Sequence, residues 1–216
     1  MHGDINAAAA ANDRMASAIV CSTNALANIH NAALLEHLAG SVHTYTALDT
    51  PKASADVGAA SVATQFLADA AAATHVSGVP PYQLHLKVGA PVHLMLNVDR
   101  TVGLVKGALA RIVELRPKSV TIRLSDPAAA ADAIWHLPPI CFEFKLPRIS
   151  QPIIRHQIPL RLAWASTVHR IQGDDLDRVL VDLQHPYFAH GQLLVAMTRG
   201  RSRAATHYLV PPEDLA

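Results

Sequence analysis

Two short polar constellations in the last third of the chain carry the side chains best suited to chemistry. They are Thr167-Val168-His169-Arg170-Ile171-Gln172-Gly173 and Val195-Ala196-Met197-Thr198-Arg199. Hydroxyl, imidazole, guanidinium and amide groups all bind phosphate oxygens and sugar hydroxyls, and a glycine lets a backbone approach a ligand closely. The residue types favour a site for a phosphorylated ligand, and a capped helix end is the alternative interpretation.

Arg199 is the most specific single residue of the second constellation. It follows an apolar, helix-like run, so its guanidinium would be held at a defined place. A permanently charged, planar donor suits a triphosphate whose negative charge grows in the transition state. The alternative is an arginine that stabilises a helix C-terminus through the helix dipole or a nearby carboxylate.

Hydrophobic periodicity predicts the elements that position these residues. Leu160 to Gln172 has helical spacing with Gly173 able to end the helix, and a second helix runs through 192–197. Between them, 178–183 is typical of a buried strand. Open α/β sheets bind ligands at the carboxyl ends of their strands. Trp164, on the apolar face of the first helix, is interpreted as core, with base stacking as the alternative.

The upstream chain supplies another βα unit and a β module. A strand at 17–21 leads into a helix that the polar triplet 22–24 can cap and Gly40 can end. Further strands are predicted at 84–96, 110–115, 119–124, 142–144, 153–154 and 207–210. This order predicts an α/β domain with an inserted all-β module.

Composition bounds the class of protein. The 216 residues are 50% hydrophobic and 16% charged, which is typical of a globular chain with a real core. The sequence starts without the features of a secretory signal, and no apolar run approaches the roughly 20 residues of a membrane span. Cys21 and Cys141 form no metal or redox motif and are predicted to be buried thiols in a reducing compartment. We expect an intracellular protein that is neither secreted nor membrane-bound.

Charge and motif searches narrow the function further. Residues 1–86 hold two basic and six acidic side chains, whereas 87–216 hold sixteen and eleven. The surplus cations accompany the constellations, which fits a bound polyanion or an ordinary solvated surface. The thirteen histidines form no HExxH or CxxC motif, so no metal site is predicted. Asp182 is interpreted as structural, because no phosphate-binding loop precedes its strand.

Several ordered blocks resemble the C-terminal half of superfamily-one DNA helicases of the Pif-one type, a group that includes RecD-like and Helitron-associated enzymes. The similarity covers residues 17–210, and the order of the blocks is more specific than any one motif. The matching blocks are 23–24, 79–81, 86–92, 103–107, 146–149, 159–173, 176–183, 188–192 and 195–202.

The resemblance implies a fold and a domain organisation. The fold is α/β, with a RecA-like, P-loop-NTPase-type parallel sheet that forms a second motor domain without a Walker A loop. That domain would comprise 17–98 and 158–216. A small all-β barrel of the Src-homology-3 kind would be inserted at 99–157 and help to grip DNA. Residues 1–16 are expected to be disordered.

The resemblance also implies roles for single residues. Arg199 would be the arginine finger at the γ-phosphate of ATP. Gln172 and Gly173 would lie on the nucleotide side of the same cleft. Single-stranded DNA would contact Thr167, His169 and Arg170. The family translocates 5′ to 3′ and serves DNA repair, recombination and telomere maintenance.

Two departures from the family pattern bear on activity. The family lysine and serine after the histidine are Arg170 and Ile171, and Asp174 and Asp175 place two carboxylates beside the site, where they would repel a polyanion. The sequence has no Gly-Lys dipeptide, hence no Walker A loop, and no Asp-Glu magnesium pair. ATP and Mg²⁺ are therefore expected only with a first RecA-like domain, and this chain alone should not hydrolyse ATP.

Two functions of different class remain open. One is the second motor half of a DNA helicase, whose partners are single-stranded DNA, ATP and a first half supplied in trans, in the nucleus or mitochondria of a eukaryote. The other is a non-catalytic remnant of a helicase or mobile element that binds DNA or protein. An unrelated α/β nucleotide-binding domain is disfavoured by the ordered blocks.

Overall fold

The computed structural model describes residues 17–52, 69–71, 74, 76–125, 133–147, 151–172 and 176–211. The predicted disorder of residues 1–16 lies outside these ranges. The chain divides into two compact units, the first comprising 1–39, 90–92 and 162–216 and the second comprising 40–89 and 93–161. Within the described ranges, no helix is long and apolar enough to cross a membrane.

The described residues include two α-helices and fourteen strands. In order they are β1 (Ser17–Cys21), α1 (Asn24–His37), β2 (His43–Thr46), β3 (Leu48–Pro51), β4 (Gln83–Leu86), β5 (Pro91–Leu94), β6 (Leu109–Arg116), β7 (Ser119–Leu124), β8 (Ile134–Leu137), β9 (Ile140–Phe144), β10 (Ile153–Gln157), β11 (Leu160–Leu162), β12 (Ala165–Thr167), β13 (Arg178–Asp182), α2 (Gln192–Met197) and β14 (Thr206–Leu209).

The first unit is built on a four-stranded sheet of order β12-β1-β13-β14, whose paired strands all run parallel. Alternate residues of β1 face opposite sides of this sheet. Ile19 and Cys21 pack with Ala27 of α1, whereas Val20 packs with Ala196 of α2. One helix therefore covers each face, and the predicted parallel α/β sheet is confirmed.

Helix α1 begins where the sequence predicts and ends earlier than expected. Thr23 is the N-cap, and its Oγ1 accepts a hydrogen bond from the Leu26 N–H at 3.3 Å. The last helical residue is His37, and Leu38 already has extended backbone angles. Gly40 has a φ of 104° but lies beyond that break, so its predicted role in ending the helix is wrong.

The predicted helix over 160–172 is wrong. This segment forms β11 and β12, followed by a single 3₁₀ turn at Val168–Arg170. Strand β12 pairs with β1. The side-chain amide of Asn31 on α1 donates to the Ala165 carbonyl and accepts from the Ala165 N–H, both at 2.9 Å. This pairing overrides the helical spacing. Trp164 lies between the two strands and is half-buried, so it occupies no helix face.

Antiparallel sheets dominate the rest of the chain, with orders β11-β5-β6-β7-β8, β3-β10-β9 and β2-β4. The predicted hairpin of β6 and β7 is confirmed, with a register shift between Ile112 and Glu114. The predicted strand at 84–96 divides into β4 and β5 near Gly89, whose φ is 84°. Strands β9, β10 and β14 confirm the remaining strand predictions within one to three residues of their predicted ends.

A buried arginine organises the core of the second unit. Arg155 of β10 is 1% exposed. Its guanidinium donates to both carboxylate oxygens of Asp49 at 2.8 and 2.7 Å. It also donates to the carbonyls of Pro80 and Ala71, at 2.9 and 2.8 Å, and lies over the Phe144 ring. The charge is therefore paired, and the guanidinium makes four hydrogen bonds, as a buried cation requires.

Candidate nucleic-acid and nucleotide site

The carboxyl ends of three neighbouring parallel strands meet at one edge of the first unit's sheet. Thr167 ends β12 and lies opposite Cys21, which ends β1. Asp182 ends β13 on the other side of β1. This is the edge at which open α/β sheets bind ligands. The first constellation therefore starts at this edge, at the end of a strand and not on a helix.

The rest of the first constellation leaves this edge through the 3₁₀ turn Val168–Arg170. Val168 and Ile171 are buried and fix the turn against the core, while Thr167 is 6% exposed at the strand end. The side chains that point to solvent are those of His169, Arg170 and Gln172. Gly173 lies outside the described residues, as do Asp174 and Asp175.

Arg170 has an exposed, positively charged side chain. No carboxylate among residues 17–172 and 176–211 that the structure describes forms an ion pair with it. Surrounding protein atoms lower the pKa of the guanidinium by desolvation, although the residue as a whole is exposed. It remains charged at neutral pH, and a cation that has already lost part of its water interacts more strongly with an incoming anion.

Arg199 lies just beyond the carboxyl end of α2 and is half-buried. Its Nε donates to the Val195 carbonyl at 3.1 Å, and its NH2 group donates to Thr198 Oγ1 at 3.3 Å. The guanidinium is thus held by the last turn of the helix. Ala196 of this helix packs in the same core cluster as Val168 and Ile171, so the fold brings the two constellations together.

Buried polar residues that the sequence analysis did not single out support the same edge. The Gln192 side chain is buried and donates to the Ser22 carbonyl at 3.4 Å, and the Tyr187 hydroxyl donates to the Val20 carbonyl at 3.1 Å. The Ser22 hydroxyl is buried and has no hydrogen-bond partner in the described part of the chain. No local sequence pattern predicts these contacts, because the partners lie more than 160 residues apart in the sequence and meet only in the folded chain.

A thiol, an imidazole and a carboxylate also meet below this edge. Cys21 is fully buried, Asp182 is 1% exposed, and His30 Nε2 lies 2.9 Å from Asp182 Oδ2. Burial and the Asp182 charge raise the pKa of the Cys21 thiol to about 12. Cys21 is buried as predicted, whereas the prediction for Cys141 is wrong because its thiol is exposed beside His156.

An apolar groove adjoins α2 on the surface. Phe188 is 71% exposed and Leu194 65% exposed, with the partly exposed Leu193 and Met197 beside them. Large apolar side chains grouped at a surface mark contact sites for other molecules. The groove lies beside the helix that precedes Arg199.

Sequence comparisons match this chain to one group of enzymes. The family model described as "DNA helicase Pif1, 2B domain" matches residues 71–115. ATP-dependent DNA helicase PIF1 of Danio rerio is 38% identical over 120 residues, covering 55% of this chain and 18% of that protein. The Homo sapiens PIF1 helicase is 30% identical over 173 residues, covering 80% of this chain and 24% of that protein.

Solved structures show the same similarity in three dimensions. Pif1 helicase from Candida albicans superposes with a TM-score of 0.67 at 25% identity, covering 89% of this chain and 44% of that one. This chain is Pif1-like. The Pif1 helicase from Bacteroides, solved with ADP-AlF3 and single-stranded DNA, has a TM-score of 0.65 at 22% identity, covering 89% of this chain and 40% of that one.

The match covers only part of each Pif1 relative. The chain spans about a fifth of the length of these curated Pif1 relatives, at 18% and 24%. Both relatives are named ATP-dependent DNA helicases. The resemblance to Pif1-type superfamily-one helicases that the sequence blocks predict is confirmed.

Proposed function

We propose that this chain is the second motor half of a Pif1-type, ATP-dependent DNA helicase. The observation that carries the proposal is the position of His169 and Arg170, exposed on a turn that buried residues anchor at the carboxyl edge of a parallel sheet. The complete enzyme would translocate 5′ to 3′ along single-stranded DNA and unwind duplexes. ATP and Mg²⁺ would bind with a first RecA-like domain.

The site residues take separate roles in this proposal. Thr167, His169 and Arg170 bind the phosphates and sugars of the single strand. Gln172 and Gly173 lie on the nucleotide side, and Arg199 reaches the γ-phosphate as an arginine finger. A guanidinium that is held by its helix end loses little freedom when it meets the developing charge. The guanidinium of Arg199, held by its helix end, and the exposed side chains of His169 and Arg170 support this division of roles.

The same proposal assigns the domains. In it, residues 17–98 and 158–216 would form the second RecA-like domain, and residues 99–157 would form the inserted β-barrel that helps to grip DNA. These bounds differ from those of the compact units, in which 40–89 groups with 93–161. The antiparallel β6–β7–β8 ladder supports an all-β module within 99–157.

The first test is single-stranded DNA binding by the purified chain, measured by fluorescence anisotropy across a salt series. Arg170→Ala should weaken binding about equally for all sequences and lower the salt slope by about 1, as the loss of one phosphate contact does. Arg178→Ala is the matched control. Arg178 is also exposed but begins β13, at the opposite, amino-terminal edge of the sheet, so its loss should leave binding unchanged.

The outcomes separate clearly. Loss of affinity with Arg170→Ala alone supports a DNA surface at the carboxyl edge. An equal loss in both variants would indicate non-specific attraction and contradict the assigned surface. Absence of any binding at low salt would refute DNA binding by this half.

A non-catalytic DNA- or protein-binding module is the second candidate. It is favoured by the exposed apolar groove around Phe188 and Leu194. A module should bind its partner without coupling to ATP, whereas a motor half should support ATP hydrolysis once a first half is supplied. Hydrolysis measurements therefore distinguish the two candidates.

A further inference from the structure

Three potential metal ligands from distant parts of the sequence converge inside the first unit. Cys21 Sγ, a ring nitrogen of His30 and a carboxylate oxygen of Asp182 all lie within 4.8 Å of one another. They come from the end of β1, the middle of α1 and the end of β13. These residues have no role in the proposed DNA or ATP contacts, so the cluster calls for a separate explanation.

The charge of the cluster is its most unusual feature. Asp182 is 1% exposed, and in the part of the chain that the structure describes its ion-pair partner is His30, with no lysine or arginine beside it. A buried carboxylate is stabilised by a cation beside it as well as by hydrogen bonds. A bound metal ion would supply that cation, and the adjacent Cys21 thiol offers the same ion a second ligand.

We propose that Cys21, His30 and Asp182 bind one zinc ion. Thiolate, imidazole and carboxylate are the three protein ligands that zinc accepts, and the sulfur ligand disfavours magnesium and calcium. The ligands need little movement. In a tetrahedral zinc site, nitrogen and oxygen ligands lie about 3.3 Å apart, and His30 Nε2 and Asp182 Oδ2 are now 2.9 Å apart.

Binding would neutralise the cluster. The Cys21 thiol releases its proton to solvent and ligates as a thiolate, and His30 ligates through the Nε2 lone pair with its proton on Nδ1. Thiolate and carboxylate then balance the two positive charges of zinc. The Gln184 N–H, which donates to Asp182 Oδ1 at 3.0 Å, would orient the carboxylate from outside the ligand set.

The ion would be structural. It would join α1 to the carboxyl ends of β1 and β13, beneath the edge that carries Thr167. The His30 side chain is 22% exposed, which gives the ion a path from solvent. With three protein ligands, water would fill the fourth tetrahedral position. Zinc would therefore raise stability without contacting nucleotide or DNA, and this inference does not depend on the proposed helicase function.

Cobalt and zinc titrations of the metal-stripped full chain test the proposal. Co²⁺ should bind one equivalent and give a thiolate-to-cobalt charge-transfer band, and Zn²⁺ should abolish that band by displacement. Zn²⁺ should also raise the melting temperature. Cys21→Ser should remove the band. His30→Ala should weaken zinc binding by more than about 10-fold, because losing a ligand should cost more affinity than the roughly 10-fold that can follow from losing a residue that only orients a ligand.

Cys141 and His156 provide the matched control. They form the other thiol–imidazole pair, with Cys141 Sγ 3.5 Å from His156 Nδ1, but this pair is exposed and lacks a carboxylate. Cys141→Ser should retain the band and the thermal shift. The proposal is overturned if no thiolate band appears, or if the band follows Cys141 instead of Cys21. Circular dichroism identifies variants that fail to fold, and His30→Ala, on a partly exposed helix face, then provides the decisive comparison.

Discussion

The two ion pairs of the three-stranded β3-β10-β9 sheet show how burial changes the energetics of a charge. Arg155 and Asp49 are nearly inaccessible, at 2% and 0% side-chain exposure, whereas Lys52 and Glu143 are about half exposed at the same 2.7–2.8 Å separation. Water solvates the exposed charges, so their ion pair adds little stability. A buried charge that loses its partner has no water to replace it. Although the two distances are alike, the loss of stability on breaking each pair should differ.

We expect Asp49→Ala to lower the free energy of unfolding by about 3–5 kcal/mol, because it leaves the Arg155 guanidinium buried without a counter-ion. Glu143→Ala, which breaks the exposed pair in the same sheet, should lower it by less than about 1 kcal/mol. Urea denaturation of both variants checks the difference. Similar losses in the two variants would show that Arg155 gains solvent when its partner is removed.

At the scale of elements, the longer strands and the helices follow from sequence patterns, and the shortest elements do not. Strand β7 was predictable because polar and apolar residues alternate over its six positions, and β6 because they alternate on either side of its register shift. Strands β11 and β12 have three residues each, too few to show a period, and their neighbours happen to have helical spacing. Their pairing with distant segments decides the conformation, and no local pattern encodes it.

The candidate site shows the same limit. The residues around Arg170 and Arg199 could be selected because they are adjacent in sequence and chemically distinctive. Cys21 and Asp182 meet because neighbouring parallel strands place their carboxyl ends at one edge, and Gln192 meets Ser22 because α2 begins beside that edge. Contacts that depend on strand order were therefore outside the reach of motif analysis.

Tyr45 of β2 ties its strand to the turn between β6 and β7. Its hydroxyl donates to the carbonyls of Arg116 and Ser119 at 2.7 and 3.2 Å. Burial raises the pKa of the phenol above its ordinary value. The native state therefore favours the protonated phenol, and stability from this group is complete below the unfolded pKa near 10 and is lost as the pH rises through the higher folded pKa.

Tyr45→Phe should consequently lower the free energy of unfolding by about 1 kcal/mol at neutral pH, through loss of hydrogen bonds. The difference in unfolding free energy between the unmutated protein and the variant should narrow above about pH 10. Only the unmutated protein has a phenol at this position, and keeping it protonated in the folded state costs stability at that pH. Thermal or urea unfolding at a series of pH values measures both effects. A difference that stays constant up to alkaline pH would contradict the assigned role of burial.

At the scale of the whole molecule, the arginine of the second constellation has no nucleotide to act on without a phosphate-binding loop. The sequence contains no Gly-Lys dipeptide, so we expect the purified chain to show no ATP hydrolysis with or without single-stranded DNA. Joined to the first RecA-like half of Candida albicans Pif1, in place of the segment that this chain matches, it should hydrolyse ATP.

In that fusion, Arg199→Ala should reduce the hydrolysis rate by about 10³-fold or more, the contribution of an arginine finger. Arg201→Ala is the control, because Arg201 is 64% exposed and pairs with Asp177 at 2.8 Å, and it should change the rate little. Hydrolysis by the chain alone would contradict the need for a first half. An active fusion that tolerates Arg199→Ala would contradict the finger and favour a binding module, since the cation would then serve only the end of α2.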